Sequence, residues 1–224
     1  RNDYDLSSLR LAVTGAAPVP VELVRRMREE LGFEVVVTAY GLTESCGVVS
    51  ICRADDSAER ISHTSGCAMA GTEIQCVDRE GHTVTSVTDG EICCRGFNVM
   101  QQYFNNAGAT AEAITSDGWL KTGDVGVMDE DGYVRITGRI KEMFIVGGFN
   151  CYPAEIEIIL SGMPGIARAA VIGVPDERLG EVARAYLVKD VMKDVVKDAQ
   201  AQLDESAVIE WAKDKMANYK VPRS

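Results

Sequence analysis

Thr38-Ala39-Tyr40-Gly41-Leu42-Thr43-Glu44 brings a phenol ring, a hydroxyl and a carboxylate together directly after the apolar run Val35-Val36-Val37. Such a ring can stack on another ring, the hydroxyl can bond a phosphate oxygen, and the carboxylate can hold a hard cation such as Mg²⁺. Taken alone, the same letters also fit a capped loop, with Thr43 bonded to nearby backbone and Glu44 on the surface.

Three further runs carry chemistry. Thr122-Gly123-Asp124 precedes a strand-like segment, where a carboxylate can accept hydrogen bonds from the vicinal hydroxyls of a ribose; an Asp in a turn is the other reading. In Gly138-Arg139-Ile140-Lys141, Arg139 offers a planar fork of donors for ribose or phosphate oxygens. Gly147-Gly148, ahead of Phe149 and Asn150, permits a tight turn that backbone or ligand approaches closely. Thr14-Gly15-Ala16-Ala17-Pro18 is small enough to meet a flat ring or a phosphate, but by itself it is better explained as a strand-to-helix connection. It is neither G-x-G-x-x-G nor a Walker loop.

These groups need elements to hold them. Leu11 to Val13 reads as a strand, VELVRRMREELG as a helix entered through Pro18 and Pro20 and stopped at Gly32, and Phe33 to Thr38 as the next strand. That is an α/β layer, with its turn residues gathered at strand ends. From about Ser65 the pattern changes to short alternating segments, TEIQCVD, GEICCRG and GYVRITG, expected to form antiparallel β as a small barrel-like or distorted sheet. Asn105 to Ile114 reads as a short helix. After Lys141 a small α+β domain is expected, with a helix from Tyr152 to Leu160, strands at AAVIGV and EVARAYLV, and a helix over Asp204 to Met216. Lys189 to Asp204 reads as a charged loop with some helix. The expected division is 1–64, 65–140 and 141–224.

Composition narrows the partners. With 23 basic against 34 acidic residues and a net charge of −11, the chain repels a phosphate backbone on average, which argues against nucleic acid. No apolar run reaches the ~20 residues needed to cross a bilayer. The start RNDYDLSSLR lacks the apolar core of a signal peptide, so the reading is a soluble cytoplasmic protein. The seven cysteines form no C-x-x-C pair and only His63 and His82 accompany them, so reduced, packed thiols are expected rather than zinc or disulfides.

TGAAPVP, YGLTE, TGD, GRIK and GGFNCYPAEIE, in this order and at these separations, closely resemble the adenylate-forming superfamily, which includes acyl-CoA synthetases, aryl-CoA ligases, luciferases and peptide-synthetase adenylation domains. The resemblance runs from the middle of the large N-terminal domain into the small C-terminal domain. It implies a two-step reaction in which a carboxylate and ATP give acyl-AMP and pyrophosphate, and a thiol then takes the acyl group. The implied nucleotide site is Gly15, Ala16, Ala17 and Pro18 beside adenine, with Ala39, Tyr40 and Gly41. Thr43 contacts phosphate, Glu44 binds Mg²⁺, Asp124 holds the ribose hydroxyls and Arg139 supports them. A hinge maps to Lys141, and Gly147, Gly148, Phe149 and Asn150 line the approach of the thiol. GGFNCYPAEIE and IGVPDERLGEVARAYLV resemble fatty-acid-type CoA ligases; VTAYGLTE, CRADD, GGFN and GVPDERLGE resemble actinobacterial ligases for a steroid-derived fused-ring propanoate. The implied small molecules are a carboxylic acid, ATP, Mg²⁺ and CoA.

The sequence also departs from that pattern. The family's Gly/Ser/Thr-rich phosphate loop and the lysine of its C-terminal Gly-Lys are not found, and Lys220 is not that lysine. The resemblance therefore implies a piece of an acyl-CoA ligase that is a poor catalyst by itself. An adenylation domain loading a carrier protein, or a non-catalytic nucleotide-binding chain, are the alternatives.

Overall fold

The computed structural model describes residues 4–15, 19–84, 88–189 and 204–224. Ala16, Ala17, Pro18 and most of the charged 189–204 stretch therefore lie outside the described residues. The chain divides into two compact units, residues 1–136 and 137–224.

The first unit opens with strand β1 (Leu11–Thr14), helix α1 (Val21–Leu31) and strand β2 (Val35–Tyr40). β1 and β2 pair in parallel from Leu11↔Val35 to Thr14↔Thr38, with the helix as their crossover. Pro20 caps α1 at its N-terminal end, and Gly32 closes it in the left-handed conformation at φ 78°. The N–H groups of both Gly32 and Phe33 donate to the Met27 carbonyl. Phe33 thus still belongs to the helix stop, and β2 begins at Val35 rather than at Phe33 as expected. At its other end β2 continues to Tyr40, because Ala39 and Tyr40 pair with Ile51 and Ser50 of β3 (Ser50–Ile51). Strand β4 (Cys67–Ala68) completes this sheet, and α2 (Ala58–His63) starts on Ser57, whose hydroxyl accepts the Arg60 N–H. Val24, Val36, Val37 and Ile61 form the core beneath.

A second four-stranded sheet follows, in the order β5 (Thr72–Val77), β6 (Gly90–Gly96), β7 (Leu120–Met128), β8 (Val134–Arg139). It is open, so of the two expected forms it is a sheet and not a closed barrel. Cys93 and Cys94 are both buried although neighbouring side chains on a strand point to opposite faces, so β6 is covered on both sides. Helix α3 (Ala107–Ala113) lies between β6 and β7 in sequence and is capped by the Asn106 side chain, which accepts the Ala109 N–H.

The second unit is a sheet ordered β10-β9-β12-β11, with β9 (Phe144–Val146), β10 (Phe149–Cys151), β11 (Ile166–Asp176) and β12 (Gly180–Lys189). Helices α4 (Pro153–Ser161) and α5 (Glu205–Lys213) pack on it through Ile156, Leu160, Val208 and Ala212. Gly147 and Gly148 form the two-residue β9–β10 turn with φ of 56° and 90°, values that disfavour any other residue. α5 ends at Lys213, short of the expected Met216.

Candidate functional site

In the first unit the site grows from the end of β2. Tyr40, its last residue, donates its hydroxyl proton to Asp124 Oδ2 at 2.7 Å. Asp124 is buried at 6% exposure on β7. Burial, with the Asp124 carboxylate adding to it, pushes the Tyr40 phenol far above its ordinary range, so it stays a proton donor. The segment carrying Asp124 is itself fixed: Thr122 Oγ1 donates to the Ile92 carbonyl at 2.7 Å, and the Gly123 N–H donates to Glu91 Oε1 at 3.1 Å. Here the β6–β7 register shifts between Glu91 and Cys93 while Gly123 takes φ 74°, a bulge of the kind that re-aims a side chain.

Beyond Tyr40 the backbone of Gly41 runs against that of Gly47; a Cβ on Gly41 would sit 2.2 Å from the Gly47 carbonyl oxygen. Gly15 likewise approaches β2, where a Cβ would lie 2.7 Å from the Ala39 oxygen. Thr43, Glu44 and Ser45 form a 3₁₀ turn. It is Ser45, buried, that ties this turn, its hydroxyl bonded to both the N–H and the carbonyl of Leu42. Thr43 is exposed and its hydroxyl has no partner among the described residues, so the capping role open in the sequence falls to Ser45.

Glu44 is half-buried. Its Oε1 accepts the Tyr103 hydroxyl at 2.8 Å, a bond that pushes the Tyr103 phenol up, and its carbonyl accepts the Met100 N–H at 2.7 Å. Asn98, buried at 4% exposure, holds the same turn by donating to the Val48 and Ser45 carbonyls at 2.7 and 3.4 Å. Sequence reasoning missed Asn98 and Tyr103. Among the described residues no cluster of three or more His, Cys, Asp or Glu could hold a metal ion. Glu44 by itself could offer a hard cation one carboxylate, so a Mg²⁺ ion there would need its other ligands from a bound ligand and water.

Arg139 ends β8 with an exposed side chain, and Lys141 falls in the exposed 3₁₀ turn Ile140–Glu142 that follows. In the second unit the β9–β10 turn borders a cleft of about 200 Å³, lined by Gly147, Phe149, Arg178, Tyr219 and Arg223 among others. The rings of Phe149 and Tyr219 stack with centroids 4.6 Å apart and planes 17° from parallel. Lys220 Nζ donates to both carboxylate oxygens of Glu155 at 2.7 Å, pinning the C-terminal segment to α4. The lining is mostly apolar, and the two rings lie face to face against each other. Arg178, Tyr219 and Arg223 were not singled out from sequence.

In the first unit a crossover α/β layer whose strand end delivers Tyr40, Thr43 and Glu44 meets a sheet that presents the buried Asp124. Residues 1–104 match the AMP-binding enzyme family, and residues 155–224 match the AMP-binding enzyme C-terminal domain. The chain belongs to this family. It is 50% identical, over 100% of its length, to the 3-[(3aS,4S,7aS)-7a-methyl-1,5-dioxo-octahydro-1H-inden-4-yl]propanoyl:CoA ligase of Mycobacterium tuberculosis, and covers 41% of it. The ligase of the same name from Rhodococcus jostii is 51% identical, with 40% of it covered. Among solved structures, o-succinylbenzoate CoA synthetase from Bacillus subtilis in complex with the acyl-adenylate intermediate OSB-AMP superposes with a TM-score of 0.80 at 33% identity. That match covers 96% of this chain and 41% of the synthetase. The chain thus spans about 40% of the length of the curated relatives it matches. No helix among the described residues is long and apolar enough to cross a membrane.

Proposed function

We propose that this chain is part of an ATP-dependent acyl-CoA ligase. The observation that carries the reading is the Tyr40–Asp124 pair, a buried carboxylate oriented by the strand end that also supplies Thr43 and Glu44. Asp124 accepts hydrogen bonds from the ribose hydroxyls with Arg139 in support, the Tyr40 ring borders adenine between Gly15, Ala39 and Gly41, and the free Thr43 hydroxyl donates to a phosphate oxygen. Mg²⁺, held in part by Glu44, would neutralise charge on the phosphates.

In the first half-reaction a carboxylate oxygen of the acid attacks the α-phosphorus of ATP, the bond to the bridging oxygen breaks, and pyrophosphate leaves with that electron pair. In the second, a thiolate attacks the carbonyl carbon of the acyl-AMP and AMP departs, leaving a thioester. The loop Gly147 to Asn150 is taken as the approach of the thiol, and CoA is preferred to a carrier protein because the relatives 50% and 51% identical to this chain are named CoA ligases. The identity to ligases named for a fused-ring propanoate supports an acid of that class, with fatty acids next. Seven free thiols support a reducing, cytoplasmic setting.

Lys141 is proposed as the hinge between the half-reactions. A proline there fixes φ and restrains Ile140, so Lys141→Pro is expected to spare acyl-AMP formation and depress thioester formation. Equal loss of both would count against it. The reading as a whole is tested by ATP–pyrophosphate exchange and CoA thioester formation with a panel of fused-ring and fatty acids, using the full-length protein. Exchange that depends on one of these acids supports it; nucleotide binding without exchange would favour a non-catalytic role.

A further inference from the structure

We propose that Tyr103 is a positioning residue for Glu44, and that through it the segment from Asn98 to α3 sets how tightly the divalent cation is held. The inference rests on the ligase reading given above, and specifically on Glu44 as a cation ligand.

The geometry divides the holding of Glu44 into separate parts. Its backbone is fixed by the Met100 N–H at its carbonyl, and the surrounding turn by Asn98, whose Oδ1 accepts the Thr72 hydroxyl at 3.0 Å while its amide reaches Val48 and Ser45. Neither contact restrains the carboxylate. A glutamate side chain free to sample its rotamers loses that freedom whenever it ligates an ion, and the loss weakens binding. The Tyr103 hydroxyl on Oε1 restricts those rotamers beforehand and leaves Oε2 without a hydrogen-bond partner among the described residues. Oε2 is then the oxygen available to a cation.

Tyr103 is itself held from the opposite side. Its N–H donates to Thr110 Oγ1 at 3.0 Å, and its carbonyl accepts the Asn106 N–H at 3.2 Å; both partners belong to the capped start of α3. Thr110 in turn donates its hydroxyl proton to the Asn106 carbonyl at 2.8 Å. A tyrosine on a loose loop would gain nothing by bonding a carboxylate that also moves. Here both ends of the Tyr103–Glu44 bond are anchored independently of it, so the bond can fix the one remaining freedom.

The test compares wild type with Tyr103→Phe in the full-length protein. Partners that orient metal ligands typically govern affinity by about 10- to 100-fold, and for a single hydrogen bond on one ligand the expected effect is near the lower end, about tenfold. Two readouts should move together: the Mg²⁺ concentration for half-maximal ATP–pyrophosphate exchange, and the affinity for Mn²⁺ titrated by EPR with a non-hydrolysable ATP analogue bound. The exchange rate at saturating Mg²⁺ and the melting temperature without ligands should stay close to wild type. In a Glu44→Gln background the same change should add nothing to the metal dependence, as coupled residues do in a double-mutant cycle. A lower melting temperature with unchanged Mg²⁺ and Mn²⁺ dependence would reduce Tyr103 to a loop latch and overturn the proposal. Wild-type protein showing neither exchange nor Mn²⁺ binding would remove the ligase reading itself, and this inference with it.

Discussion

Tyr40 and Asp124 lie 84 residues apart in sequence, on strands of different sheets, and meet in a 2.7 Å hydrogen bond. A ring at a strand end is thereby also a clamp on a buried carboxylate. Tyr40→Phe keeps the ring and removes the clamp. Leaving a buried carboxylate short of one donor costs about 1–3 kcal/mol, so the variant should unfold at lower urea concentration. On the ribose-binding role proposed for Asp124, the KM for ATP should also rise several-fold. Were the ring's stacking all that mattered, Tyr40→Phe would match wild type in both assays.

The buried thiols give the first unit an alkaline limit. Burial pushes Cys76 and Cys94 up to about 11 and Cys93 up to about 12, from an ordinary value of 9.0. Between the unfolded and folded values the folded state binds more protons, so stability falls as pH rises. The contribution is whole below pH 9 and is lost progressively as pH passes through about 11 to 12. Melting temperature should therefore decline steeply over that window. Cys94→Ala should flatten the decline while lowering the plateau, through the small cavity it leaves. An unchanged slope would assign the alkaline loss to other groups.

What the sequence made legible was what local pattern encodes. The glycine pair at 147–148 announced its turn because both positions need positive φ, and the strand-turn-helix opening followed from apolar runs punctuated by Pro20 and Gly32. The segments after Ser65 announced strands, but alternation alone could not say whether their sheet closes, since closure depends on strand pairing across loops. Tyr40, Thr43, Glu44 and Asp124 were singled out as candidates because they sit in short motifs. Tyr103 was not, because its bond to Glu44 joins positions 59 residues apart and nothing in QQYFNN marks the hydroxyl as shared. For the same reason the turn-tying role was open to Thr43 until Ser45 was seen to take it. Arg178 and Arg223 converge only when the β11–β12 hairpin and the last residues fold together.

The second unit depends on the Lys220–Glu155 pair. Both side chains are mostly out of water, at 17% and 28% exposure, so the pair lies between a surface bridge, which contributes little, and a fully buried one, whose breakage costs several kcal/mol. Lys220→Met, which keeps the apolar stem, is expected to destabilise this unit by about 1–3 kcal/mol. Adding Glu155→Gln should restore part of that loss, since no bare carboxylate then remains. Trp211 on α5 packs against this core, so its fluorescence in a Trp119→Phe background reports the unit alone. If the double variant were no better than Lys220→Met, the loss would lie in packing and not in the stranded charge.

The cleft lined by Arg178, Arg223 and Tyr219 makes a separable prediction, because it borders the β9–β10 turn and shares no residue with the Tyr40–Asp124 site. If it receives the nucleotide end of CoA, Arg178→Ala should raise the KM for CoA by about tenfold, the factor for ~1.4 kcal/mol, as expected for one lost charge-assisted contact to phosphate. ATP–pyrophosphate exchange, which needs no CoA, should be unaffected. Tyr219→Ala should act in the same direction by removing the ring that stacks on Phe149 beside the cleft. Raising the salt concentration should weaken CoA in wild type more than in Arg178→Ala, since a contact already removed cannot be screened. Equal losses of exchange and thioester formation in Arg178→Ala would mean that the arginine supports the fold of the second unit, and the acceptor would then have to be sought away from this cleft.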